Sequence, residues 1–126
     1  MKLTHSCIVT ENITQLRLFY QNVLQIEPKI YEERYVEFLT ECGILSLFSA
    51  SAHERLVPGS VYPAANKSVI LEFQVDDVDR EYARLQQMEI EWVRKPTTES
   101  WGNRTVYFRD PEGNLVEFFC DVSNRE

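Results

Sequence analysis

The sequence predicts an α+β protein built from two βαβββ modules. Three observations carry that prediction. The first is the stretch from Trp101 to Phe119, where two runs rich in Val, Tyr and Phe flank Asp110-Pro111-Glu112-Gly113-Asn114. Asp110 can bond its own backbone, Pro111 presets φ and Gly113 supplies a positive-φ position, so the runs read as a β-hairpin. The second is a strand followed by a one-faced helix, a pattern that occurs twice. The third is a break between the two occurrences, at residues 50–68, where Ser, Ala, Pro, Gly and Asn dominate.

Residues 3–10 read as a strand. Asn12 or Thr14 then caps a helix whose Leu16, Phe19, Tyr20, Val23 and Leu24 fall on one stripe. Gln25-Ile26-Glu27-Pro28 stops it, because proline cannot continue a helix and disfavours helix before it. Three strands follow, at about 28–33, 35–40 and 43–49, with Glu41-Cys42-Gly43 as the last turn. The first module covers about 1–50. A linker with a short helical turn covers about 51–68.

The second module covers about 69–126. Val69 to Val75 forms its first strand, and Asp76 or Asp77 caps a helix that places Val78, Tyr82 and Leu85 on one stripe. Ile90 to Val93 is a short strand, 94–100 a polar loop containing Pro96, and 104–109 with 114–120 the hairpin. Identity between the halves is slight, so the repeat is architectural. Helices on one face of each sheet leave the other faces to enclose a cleft, where small-molecule chemistry belongs.

Bulk properties narrow the function. The 126 residues suit one domain, and 44% hydrophobic residues suffice for a core without metal or disulfide staples. A net charge of −7, spread along the chain, argues against a nucleic-acid partner. Cys7, Cys42 and Cys120 are an odd number in apolar contexts, which predicts buried, reduced thiols in a cytoplasmic protein. The sequence shows neither a secretory leader at Met1-Lys2-Leu3 nor a membrane span, so no membrane partner is expected. Four glycines supply no phosphate-cradling loop.

Strand alternation sorts the polar candidates. His5 and Cys7 share one side of the first strand, Glu72 and Gln74 face away from the second module's helix, and Glu117 shares a side with Leu115 and Phe119. Glu117 is an acid at an otherwise apolar position. It needs a partner such as Arg104, Tyr107 or a bound molecule, because an unpaired buried carboxylate is costly. His5 reads either as a hydrogen-bonded pocket histidine or as a metal ligand. Trp101 offers a flat face for a planar or cationic guest, with core or interface packing as the equal alternative.

Three passages resemble the vicinal-oxygen-chelate superfamily, which includes glyoxalase I, bleomycin-resistance proteins and extradiol dioxygenases. They are Leu3-Thr4-His5 through Phe19-Tyr20-Gln21-Asn22-Val23-Leu24, then Leu71 through Asp79, then Trp101-Gly102-Asn103-Arg104 with Phe108 through Glu117. The resemblance implies two curved mixed sheets of βαβββ topology around a cleft. It also implies metal-ligand positions that fall on His5, Ser46, Ile70 and Glu117, of which His5 and Glu117 carry donors suited to a metal. Tyr107 matches a catalytic tyrosine of the dioxygenases.

Two functions follow from that likeness. One is a small-molecule-binding protein without a full metal site, with Trp101, Arg104, Gln74, Ser46 and Tyr107 lining the guest. The other is a lyase, isomerase or transferase using a divalent metal (Ni, Zn, Mn or Fe), with Glu117, Glu72 or Tyr107 as catalytic candidates. No other cofactor is expected. A homodimer is expected on family grounds.

Overall fold

The structure, a computed structural model, describes residues 1–122. The part of the second module assigned to 123–126 lies outside the described residues. The chain divides into two compact units, Met1–Ala65 and Asn66–Glu126. Each holds a four-stranded mixed sheet with its helices, as the α+β reading requires.

The first unit runs β1 (His5–Thr10), α1 (Ile13–Leu24), β2 (Lys29–Tyr31), β3 (Tyr35–Leu39), β4 (Ile44–Ser49) and α2 (Ala50–Leu56). Its strand order is β1-β4-β3-β2, with β1 parallel to β4 and the other pairs antiparallel. Asn12 caps α1, its side-chain oxygen accepting from the Gln15 backbone N–H at 3.1 Å. The helix ends at Gln25, which adopts φ 54°, a left-handed cap before Pro28. Leu16, Phe19, Tyr20 and Val23 of α1 are buried with Val36, Phe38, Leu45 and Leu47 of the sheet. Tyr20 meets Phe38 with ring centres 6.4 Å apart.

The second unit runs β5 (Ile70–Gln74), α3 (Val78–Leu85), β6 (Glu91–Thr98), β7 (Asn103–Arg109) and β8 (Leu115–Asp121). Its order, β5-β8-β7-β6, repeats the first unit's with β5 parallel to β8. Asp77 caps α3 by accepting from the Arg80 N–H at 3.1 Å. The core sets Tyr82 against Trp92, Trp92 against Phe108 and Phe108 against Phe118 edge to face, with ring centres 4.7, 5.5 and 5.3 Å apart.

The hairpin turn forms as its residues dictate. Asp110 is 4% exposed; its Oδ1 accepts from the Glu112 and Asn114 N–H groups at 2.9 and 3.0 Å, and its Oδ2 from the Asn114 amide at 2.8 Å. Gly113 takes φ 85°, which a residue with Cβ rarely adopts.

Three expectations change. The segment 94–100 is not a loop: β6 continues to Thr98, with register shifts between Trp92 and Arg94 and between Arg94 and Thr97. Pro96 is tolerated because β6 is an edge strand and is bulged at that point, the two settings in which a missing N–H does least harm. The linker begins with a full helix, α2, capped by Ser49, whose Oγ accepts from the Ala52 N–H at 3.1 Å. Of the cysteines only Cys120 is buried; all three are free, and Cys7 and Cys42 are exposed. Cys42 sits in a turn and Cys7 on the sheet face turned away from α1, so apolar neighbours in sequence do not bury them.

Candidate functional site

Register builds the site in each unit. In the second unit Glu72 pairs with Glu117, Glu117 with Tyr107, and Tyr107 with Arg94. The four residues form one row across β5, β8, β7 and β6, on the face turned away from α3. Phe73, Phe108 and Phe118 take the other face.

Glu117 is 5% exposed yet stands beside a second carboxyl. Burial first, then its hydrogen bond with Glu72 and the Glu72 charge, push its pKa up to about 7; donation from Tyr107 works against them. A neighbouring carboxyl disfavours the ionised form, so Glu117 keeps its proton up to near neutrality. The Tyr107 hydroxyl is pushed up to about 12 by burial and by Glu117, so it remains a donor.

At the other end of the row, Arg94 Nε and Nη2 donate to Glu99 at 2.9 and 3.0 Å. The Thr105 hydroxyl donates to the same acid at 2.7 Å, and these bonds hold Glu99 below the usual carboxylate range. Sequence reasoning missed both residues because it ended β6 at Val93. The one available signal was the Thr-rich, β-favouring composition of 97–98. Trp101 sits at the β6–β7 turn and is 67% exposed, open for contact.

Arg104 is a correction. It lies on the α3 side of β7, where Nε and Nη2 donate to Asp79 at 2.6 and 2.9 Å and Nη1 donates to Thr98 at 3.0 Å. Alternation puts it on the side opposite Tyr107, so it does not reach the Glu117 group. Gln74 and Glu72 face the side expected and are exposed.

In the first unit the equivalent row is Cys7, Ser46, Glu37 and Lys29. His5 Nδ1 lies 2.8 Å from the Thr4 hydroxyl and its Nε2 3.0 Å from Glu37 Oε2, the oxygen that also accepts from the Tyr35 hydroxyl at 2.8 Å. His5 is therefore a hydrogen-bonded histidine with both ring nitrogens engaged. Ser46 is 1% exposed, and its hydroxyl lies beside the Cys7 thiol and the Tyr35 hydroxyl.

The four positions implied for a divalent metal do not fit one. Ile70 has no donor atom, and Ser46 offers a hydroxyl that binds such ions poorly while protonated. His5 and Glu117 are engaged as above. Among the described residues no group of three or more His, Cys, Asp and Glu side chains is placed to hold a metal ion.

Comparisons with known proteins agree with this architecture. Residues 3–122 match the glyoxalase-like domain family. A glyoxalase/bleomycin resistance protein/dioxygenase family enzyme from Burkholderia phytofirmans PsJN superposes with a TM-score of 0.84 at 18% identity, over 96% of this chain and 99% of that one. A glyoxalase/bleomycin resistance protein/dioxygenase from Nocardioides gives 0.80 at 23% identity, over 100% and 87%. Lactoylglutathione lyase from Agrobacterium tumefaciens gives 0.73 at 24%, over 94% and 92%. At these identities the likeness is one of fold. By sequence, the uncharacterized protein YraH of Bacillus subtilis strain 168 is 36% identical over 56 residues; the match spans 44% of this chain and 44% of that relative.

Proposed function

This chain belongs to the glyoxalase-like domain family, and from that premise we propose that it binds a small organic molecule without a divalent metal. The observation that carries the proposal is the state of Glu117. At the position where metal-dependent relatives would offer a ligand, this acid is buried between its register partners Glu72 and Tyr107. Ile70 and Ser46 in two other positions leave the set short of the donors that a coordination sphere needs. Glu72, Gln74, Tyr107, Glu117 and Trp101 are the proposed contacts, all on the second unit. A homodimer in the cytoplasm belongs to the same proposal. It is supported by the family resemblance and by the lack of a helix long and apolar enough to cross a membrane among the described residues.

One observation favours a second reading. An acid with a pKa near neutrality beside a neutral phenol is what proton transfer requires, so Glu117 is the general acid–base candidate if the guest is a substrate. The rival metal-dependent lyase, isomerase or transferase needs donors that Ser46 and Ile70 do not supply.

The test is protein purified without chelator, assayed for metal and for dimer by sedimentation, then melted with Ni²⁺, Zn²⁺, Mn²⁺, Fe²⁺ and a panel of small organic compounds. Ligands that bind the native state raise the melting temperature. The expected result is a rise with organic compounds and none with the ions. A stoichiometric metal whose stabilisation disappears in His5→Ala reverses the proposal.

A further inference from the structure

We infer that the second sheet recognises a two-ended guest: Glu72 and Glu117 take a cationic, proton-donating group, and Arg94 takes an anionic oxygen about one nanometre away. The inference rests on the small-molecule reading above and names the class of ligand that reading leaves open.

The argument is geometric. Glu72, Glu117, Tyr107 and Arg94 are successive register partners, so their side chains stand in one line across the sheet. Neighbouring strands lie about 4.8 Å apart, which sets Glu117 on β8 about 10 Å from Arg94 on β6 at backbone level. The acids and the guanidinium occupy opposite ends, with the Tyr107 ring between them. The ends therefore differ in sign, and the middle is flat and partly apolar.

Arg94 is held in readiness rather than left to wander. The register shifts on both sides of it turn its side chain onto this face. Its Nε and Nη2 are fixed by Glu99, which is itself braced by Thr105, while Nη1 has no protein partner among the described residues. A guanidinium fixed at one edge and open at the other is suited to a carboxylate or similar oxyanion. At the far end, the Glu72 and Glu117 carboxyl groups stand side by side as register partners and offer oxygen acceptors to an ammonium group. Trp101, in the turn that carries Glu99, adds an exposed aromatic face.

The competing explanation is that Arg94 and Glu99 merely brace the edge strand. The probes are 6-aminohexanoate, which carries an ammonium and a carboxylate at the ends of a chain slightly shorter than this separation, and the one-ended controls n-hexylamine and hexanoate. Binding is followed by amide chemical-shift titration of the full chain. The expected result is that 6-aminohexanoate binds at least about tenfold more tightly than either control. Arg94→Gln removes that advantage, leaving the probe equal to n-hexylamine, while the same charge change at exposed Arg80 leaves it intact. Equal binding of all three probes, equal loss in the Arg94 and Arg80 variants, or no saturable binding of 6-aminohexanoate would overturn the inference. If other organic compounds still raise the melting temperature, the small-molecule reading survives that failure.

Discussion

The two sheets share a skeleton and differ in the side chains on their faces turned away from the helices. Their strand orders, β1-β4-β3-β2 and β5-β8-β7-β6, superimpose element by element. Towards the helices they even share side chains: Val36 and Phe38 of β3 correspond to Val106 and Phe108 of β7, all buried. On the opposite faces the likeness ends. Cys7, Ser46 and Glu37 stand where the second sheet has Glu72, Glu117 and Tyr107. The lesson is that packing fixes one face of each strand and leaves the other free to diverge chemically. The acids illustrate it. Glu37 has His5 and Tyr35 within hydrogen-bond distance, whereas Glu117 confronts another acid across the strand pair.

The largest expected difference lies in the turns that close the two central hairpins. Asp110 accepts three hydrogen bonds while buried. In the first unit the corresponding turn is held by the Thr40 hydroxyl, which accepts from the Gly43 and Cys42 N–H groups at 3.0 and 3.3 Å. Asp110→Ala should therefore cost about 3 kcal/mol and Thr40→Ala about 1 kcal/mol, since bonds to a charged acceptor are the stronger. Urea denaturation of the two variants measures both. Equal costs would mean that the turns are energetically alike despite their chemistry.

A smaller effect separates the two acids. Glu117 has a folded-state value of about 7 against an ordinary 4.5, so the folded chain holds this proton more tightly than the unfolded one. Its contribution to stability is complete below about pH 4.5 and is lost as pH rises through 7. Glu117→Gln mimics the protonated acid and should stabilise the protein at pH 8 by about 1–2 kcal/mol, a figure reduced for solvent screening. It should also flatten the stability profile between pH 5 and 8. Glu37→Gln should have the opposite sign, because it weakens an acceptor already supplied with donors. Denaturant midpoints across that pH range decide it. A destabilised Glu117→Gln at pH 8 would show that the acid pair is not strained by its second charge.

How far the sequence carried this picture follows from which forces act locally. Helix stripes, the Asn12 and Asp77 caps and the Asp110 turn are set by neighbours in sequence and were readable there. Alternation also placed Glu72, Gln74 and Glu117 on the correct face. What it does not give is the partner across the sheet, because that depends on register. Register on β6 is reset twice by bulges around Arg94 and Pro96. Arg94 and Glu99 were therefore missed. Arg104 was misplaced for a simpler reason. Charge complementarity to Glu117 was weighed, while the one-residue offset from Tyr107 already sent Arg104 to the opposite side, towards α3.

The smallest expected effect is also the sharpest check on that correction. Arg104 reaches Asp79 with two nitrogens and Thr98 with the third, tying β7 to the first turn of α3 and to β6. Asp79 is largely exposed, so water screens the pair and the link contributes little despite its two-pronged geometry. Arg104→Gln should lower stability by less than about 1 kcal/mol. It should also leave 6-aminohexanoate binding unchanged, because α3 and the Glu117 row occupy opposite faces of the sheet. Arg94→Gln makes the same change in charge on the same sheet and should do the reverse, abolishing the probe's advantage with little change in melting temperature. Loss of binding in the Arg104 variant would mean that the guest reaches the α3 face, and the contrast between the two faces of this sheet would fail.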